Sequence, residues 1–238
     1  MRIVAFGSSH SVGYKLNDVA DKSYNTLSEF SYPKIVAKHF ECECINLAKC
    51  GNSIAQIYTD VFSFMSESRD EDVIIIQIPL NTAWFKLITN KNESVNILGP
   101  NSLNDKGTRV KNALEELYAT LTNDNHWNYN WLINFYSLIT VLNFHQKKFV
   151  WFFDSYCDLY SDFENTTLSM PATELAQIKK IKLATPDPEM NNIGKLFADF
   201  LNLDCPNSRT AHGHYNELGH EFWAETVLIP YITERLTQ

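Results

Sequence analysis

The sequence predicts one α/β domain in which helices cover both faces of a parallel sheet, a three-layer α/β/α sandwich. Three observations carry this. Four short, mainly apolar runs, at residues 2–6, 41–47, 72–78 and 148–153, have the length and character of buried parallel strands. Stretches of helical spacing separate them, and alternation of that kind builds a parallel sheet with right-handed connections. The chain has 238 residues, 45% hydrophobic and 20% charged, which is enough for one sizeable core.

The elements follow in order. Residues 28–40 read as the helix joining the first two strands. Residues 53–66 read as a second helix, with Ile54, Ile57, Val61 and Phe62 on one side. Residues 110–144 read as two helices broken near Asn123-Asp124-Asn125. The last helix, 217–236, is expected to turn Leu218, Phe222, Leu228 and Ile229 toward a core. Two segments fit the alternation less well. The one after the third strand is polar and rich in turn signals. The one after the fourth contains Pro171, Pro186 and Pro188 and has little period. Both follow strand C-termini, where open α/β sheets bind ligands. They read as insertions at about 82–106 and 155–192 that shape a pocket, with plain surface loops as the alternative.

Composition narrows the function classes. A net charge of −8 argues against nucleic acid, whose phosphates need a basic face. No run approaches the ~20 apolar residues of a membrane span, and no membrane partner is expected. Five cysteines without framework spacing suggest reduced thiols. Cys42-Glu43-Cys44 reads as two small thiols on one strand face rather than a metal pair. The apolar start at residues 3–6 is too short for a signal peptide. The expected setting is cytoplasmic or virion-associated.

Chemistry is concentrated in four short blocks. The chain has eight glycines, and Gly7, Gly13, Gly51, Gly213 and Gly219 all fall in or beside these blocks. The first block, Gly7-Ser8-Ser9-His10-Ser11-Val12-Gly13, follows the first strand. A nucleophilic serine needs such a strand-to-helix turn. A phosphate-binding turn is the alternative, but neither the Walker nor the dinucleotide glycine pattern is present. The second block, Asn46 to Ser53, follows the second strand, and Gly51 there would let an N–H approach a substrate oxygen. A simple helix start capped by Asn52 or Ser53 reads equally well. The third block, Gln77-Ile78-Pro79-Leu80-Asn81-Thr82, places an asparagine where its amide could reach an oxyanion, or merely start a turn. The fourth block, His212-Gly213-His214-Tyr215-Asn216, precedes the last helix. His214 is the candidate general base. A zinc site using His212, His214 and His220 is the rival, unsupported by a nearby carboxylate cluster.

In order and position, these blocks resemble those of the SGNH/GDSL hydrolase superfamily. The first matches Gly-Asp-Ser-x-x-x-Gly with Ser8 in place of the aspartate. Asn46 to Gly51 matches the second family block. Asn81 is what remains of Gly-x-Asn-Asp. Gly213-His214 with Asn216, Gly219 and His220 is similar to a degenerate form of the family's Asp-Gly-x-His-Pro-Asn-x-x-Gly-His segment. The asparagine-rich style is similar to members from phages and marine microbes. The resemblance implies a flavodoxin-like parallel sheet of four to five strands. It implies Ser9 as nucleophile, His214 as base, and an oxyanion hole of Ser9 N–H, Gly51 N–H and the Asn81 side chain, with no cofactor and no metal. Family members cleave esters, often O-acetyl groups on carbohydrates, so a glycan or small-molecule ester is the expected substrate.

One departure matters. The family's acid lies two or three residues before the histidine, and those positions here are His212 and Ala211. His212 or Asp204 are candidate orienting groups, and Asp154 could substitute from another direction. Two functional readings therefore remain beside the metal-dependent one. One is a serine esterase acting through Ser9 and His214. The other is a catalytically weak or inactive module of the same fold that binds glycans or assembles into a virion. Trp84, Phe85, Trp127, Trp131, Tyr156 and Tyr160 are candidate aromatic platforms, with core or lid packing as the alternative.

Overall fold

The strands are β1 (Arg2–Phe6), β2 (Glu43–Asn46), β3 (Asp72–Ile78), β4 (Phe85–Ile88), β5 (Ser94–Ile97) and β6 (Lys148–Phe153). This computed structural model describes residues 1–19, 22–23, 25–79, 85–88, 94–97, 124–154, 172–185, 191–210 and 214–236. Four strands form a parallel sheet in the order β2-β1-β3-β6, and β4 and β5 pair antiparallel as a separate ribbon within the first expected insertion. A rudimentary fifth strand lies beyond β6. Trp151 N–H donates to Asn191 O at 3.1 Å, and Ile193 N–H donates to Trp151 O at 3.0 Å. The four expected strands are all present, and the second is shorter than its apolar run because Glu41 turns the chain with φ 48.

The helices are α1 (Ser9–Val12), α2 (Tyr32–His39), α3 (Ile54–Phe64), α4 (Asp124–Phe144), α5 (Ala172–Ala184), α6 (Phe197–Asp204), α7 (Glu217–Trp223) and α8 (Ile229–Leu236). Strand side chains alternate between two cores. Val4, Phe6, Ile74, Ile76, Trp151 and Phe153 pack with Ile57 and Val61 of α3 and Phe135 and Ile139 of α4. On the opposite face Ile3, Val73, Ile75, Val150 and Phe152 pack with Val36 of α2, Phe197 and Leu201 of α6, and Trp223 of α7. The three-layer α/β/α sandwich is thus the observed architecture. At the N-terminal end of the sheet, the Arg2 guanidinium grips both oxygens of the Asp72 carboxylate at 2.7 Å, locking β1 to β3 in register.

Several expectations are corrected. Phe62 is 59% exposed, and Phe64 takes its place in the core. Leu218 is 49% exposed on α7, while Leu228 and Ile229 are buried as expected. Within the proline-containing second insertion, α5 forms and buries Ile178 against α4. Of residues 110–144, the second helix begins at Asp124, beside the expected break; residues 110–123 lie outside the described residues. The last helix is not uniform: Ala224–Leu228 is a π-helical turn closed by Ile229 N–H to Ala224 O. Pro230 explains it. Proline has no N–H to donate, and its ring collides with the carbonyl four residues back, which a widened turn relieves.

Candidate active site

All four strands of the main sheet end at one edge, so Ser9, Asn46 with Gly51, Pro79 and Asp154 cluster there. The chain order reverses direction between β1 and β3, and the crevice at such a switch point is where open α/β sheets place ligands.

The first turn is built around a buried glutamine. Gln77 follows the three isoleucines of β3 and is fully buried. Its Oε1 accepts from Ser8 N–H at 3.1 Å, Ser11 N–H at 3.2 Å and Ser11 Oγ at 2.7 Å, and its Nε2 donates to Ser8 Oγ at 3.1 Å. Ser11 Oγ also bonds Tyr32 OH. Gly7 is required by this close approach: a Cβ there would stand 2.1 Å from Ser11 Oγ and 2.8 Å from Gln77 Oε1. The turn becomes the single-turn helix α1, whose first residue is Ser9 and which Gly13 ends at φ 76.

The block after β2 braces the same turn. Asn46 Nδ2 donates to Ser11 O at 2.7 Å, and Asn46 Oδ1 accepts from Ala48 N–H at 3.1 Å. Lys49 N–H reaches Gly7 O at 3.3 Å, and Asn52 N–H closes onto Lys49 O at 3.1 Å around Gly51. Ser53, not Asn52, caps α3 by accepting from Gln56 N–H.

The two ends of the chain meet here. Ser9 Oγ lies 3.1 Å from His214 Nε2, across 205 residues of sequence. The His214 ring stands edge-on to Tyr14, centroids 5.0 Å apart, and 5.2 Å from the ring of His10. His10 in turn bonds Asp154, the residue following β6, with Nδ1···Oδ1 at 2.8 Å. Because a carboxylate only accepts, that nitrogen carries the hydrogen. Burial pushes the Asp154 carboxyl upward. The charge and hydrogen bond of His10, the Gln77 amide and the charge of His214 together outweigh it and hold the group below the ordinary carboxylate range.

The remaining expected site residues divide clearly. Asp204 is exposed at the end of α6. His212 and Asn81 lie outside the described residues. His220 is a core residue: its Nδ1 accepts from Tyr32 N–H at 3.2 Å and its ring stacks on Tyr32. Burial, with the nearby His10 and His214, pushes it down to about 3. The rival zinc set therefore lacks His220, whose Nδ1 is engaged within the fold. Trp131 is also core, stacked on Phe135. Trp84, Tyr156 and Tyr160, and the side chains of Phe85 and Trp127, lie outside the described residues. Sequence reasoning missed His10 and Gln77. The available signals were a glutamine inside an isoleucine run and a second ionisable ring beside Ser9.

No protein-family profile and no curated relative matches this sequence. Solved structures do match over nearly its whole length. The crystal structure of TesA aligns with TM-score 0.52 at 10% identity, covering 98% of this chain and 99% of that one. The psychrotrophic esterase EstA from Pseudoalteromonas sp., in a structure inhibited by monoethylphosphonate, aligns with TM-score 0.50 at 10% identity, covering 100% and 99%. An acetyl xylan esterase from the rumen bacterium Butyrivibrio proteoclasticus aligns with TM-score 0.52 at 12% identity, covering 99% of this chain and 64% of that one. The protein has the α/β/α fold of the SGNH hydrolases.

Proposed function

We propose that this protein is a serine esterase that hydrolyses an O-acyl ester, most simply an O-acetyl group on a carbohydrate or other small molecule. The observation that carries the reading is the 3.1 Å approach of Ser9 Oγ to His214 Nε2 at the switch-point crevice of this fold. A structural serine has no need of a histidine brought from the other end of the chain.

In this reading Ser9 attacks the acyl carbon while its proton passes to His214 Nε2. The oxyanion of the tetrahedral intermediate is met by Ser9 N–H, Gly51 N–H and the Asn81 amide, donors each worth about 10²–10³ in rate. Collapse breaks the bond to the alkoxide, which takes the proton from His214 and leaves as the alcohol. Water then attacks the acyl-serine, gives a proton to His214, and the acid departs as Ser9 recovers its hydrogen. The O-acetyl and carbohydrate preference draws on the acetyl xylan esterase among the fold neighbours.

The competing reading, an inactive binding or virion-associated module, draws on the absence of an acid at positions 211 and 212. Hydrolysis of p-nitrophenyl acetate separates the two. Turnover by the wild type, lost by at least ~10³-fold in Ser9→Ala and His214→Ala, supports the esterase. Equal activity in Ser9→Ala and wild type would refute it.

A further inference from the structure

We propose that Asp154, held in place by His10, is the carboxylate that balances the charge on His214, standing in for the acid missing just before that histidine. The proposal rests on the Ser9–His214 reading above.

Four observations carry it. First, Ser9 and His10 are consecutive residues of α1, so a single turn presents one side chain to His214 and the next to Asp154. The His10 and His214 rings lie 5.2 Å apart between centroids. Second, Asp154 is on rigid scaffold. Its N–H donates to Ile78 O at 3.0 Å, and its own carbonyl accepts from Ala198 N–H at 2.7 Å, tying it to the end of β3 and the start of α6. Third, the pair is largely shielded from water. The His10 and Asp154 side chains are 13% and 22% exposed, and Phe197 and Tyr215 wall the His10 ring at 5.2 and 5.3 Å. Charges interact more strongly there than in water. Fourth, His10 Nε2 is buried without a hydrogen-bond partner. A ring nitrogen left so is unfavourable in a core, where an apolar ring would pack as well, and this points to a role for the imidazole beyond packing.

The electrostatics agree with the geometry. A positive His214 favours the Asp154 anion, so by reciprocity the anion favours the imidazolium that forms when Ser9 gives up its proton. The other titratable groups around this cluster are Tyr14 beside His214, Tyr32 from α2, Tyr215 before α7, and His220 in α7. None of them is a carboxylate. Asp154 and His10 are thus positioning residues that act through His214, and Asp204, exposed on α6, is not.

The test is the rate at which diisopropyl fluorophosphate labels Ser9, which needs no knowledge of the natural substrate. An Oγ–P bond forms, P–F breaks, fluoride leaves, and the serine proton passes through His214 to solvent. Ser9→Ala must remain unlabelled. Asp154→Asn should label about 10- to 100-fold more slowly, with the acid limb of its pH–rate profile moved to lower pH, because the base loses its neighbouring anion. Asp154→Glu should recover part of the rate, and Asp204→Asn should match wild type. His10→Asn, which removes the link and keeps the carboxylate, should also slow labelling and covers the case in which Asp154→Asn fails to fold. Wild-type rates and an unchanged pH profile in Asp154→Asn or His10→Asn, with Ser9→Ala silent, would overturn the proposal and leave the serine reading standing. A wild type that does not label would overturn both.

Discussion

Gln77→Leu tests whether the polar knot under Ser9 is a structural necessity. Leucine keeps the volume but removes every hydrogen bond of the amide. Two backbone donors, Ser8 N–H and Ser11 N–H, then lose their acceptor in a fully buried setting. Each such orphan costs about 1–3 kcal/mol, so the expected loss is about 2–6 kcal/mol. Ser11 Oγ is spared part of this because it keeps Tyr32 OH. A domain holds only about 5–15 kcal/mol in total, so the variant sits near its threshold. Urea unfolding reads the change directly: with an m-value of about 2–3 kcal/mol/M, the midpoint should fall by about 0.7–3 M. Gln77→Glu should lose less, because it keeps an acceptor for both backbone donors, but it adds an anion near Asp154. A midpoint shift below about 0.3 M in Gln77→Leu, with esterase activity intact, would mean the hydrogen bonds contribute little and the reasoning about the knot is wrong.

Gly7→Ala should destabilise by about 1–3 kcal/mol and lower the Ser9 labelling rate, since its Cβ displaces Ser11 Oγ and the Gln77 amide; a neutral effect on both readouts would contradict the close approach. His220, held neutral down to about 3 against 6.5 for an ordinary histidine, binds a proton in the unfolded chain before it does in the folded one. Its contribution to stability is therefore complete above about pH 6.5 and declines as pH falls toward the folded value, by about 1.4 kcal/mol per pH unit. His220→Asn should flatten that part of the stability–pH curve, measured by urea midpoints between pH 7 and about 4. An equally steep curve in the variant would place the acid sensitivity elsewhere.

Strands β1, β3 and β6 were legible because they are buried on both faces and so read as mainly apolar runs. The face of α3 needed its angles worked out. With Ile54 at 0° and about 100° per residue, Ile57 and Val61 fall at about −60° and −20°, so Phe64, at about −80°, lies closer to the buried stripe than Phe62, at about +80°. Phe64 joins that core and Phe62 does not. The approach of Ser9 to His214 could be anticipated from motif order, since each lies in a short block with its own local signature. Asp154 as the partner of His10 could not, because that contact spans 144 residues and depends on where β6 ends relative to α1. A proline was visible at 230, but the register of the whole final helix had to be known before it implied a π turn.

The adjacency of Ser9 and His10 has a mechanical consequence. A triad drawn from three distant segments must hold three independent placements at once. Here two of the four side chains share one helical turn, and Gln77 and Asn46 clamp that turn from β3 and β2. Any small drift of α1 carries the hydroxyl and the imidazole together, so their mutual alignment is inherited from backbone geometry. On the role proposed for Asp154, the segment preceding His214 need not present an acid.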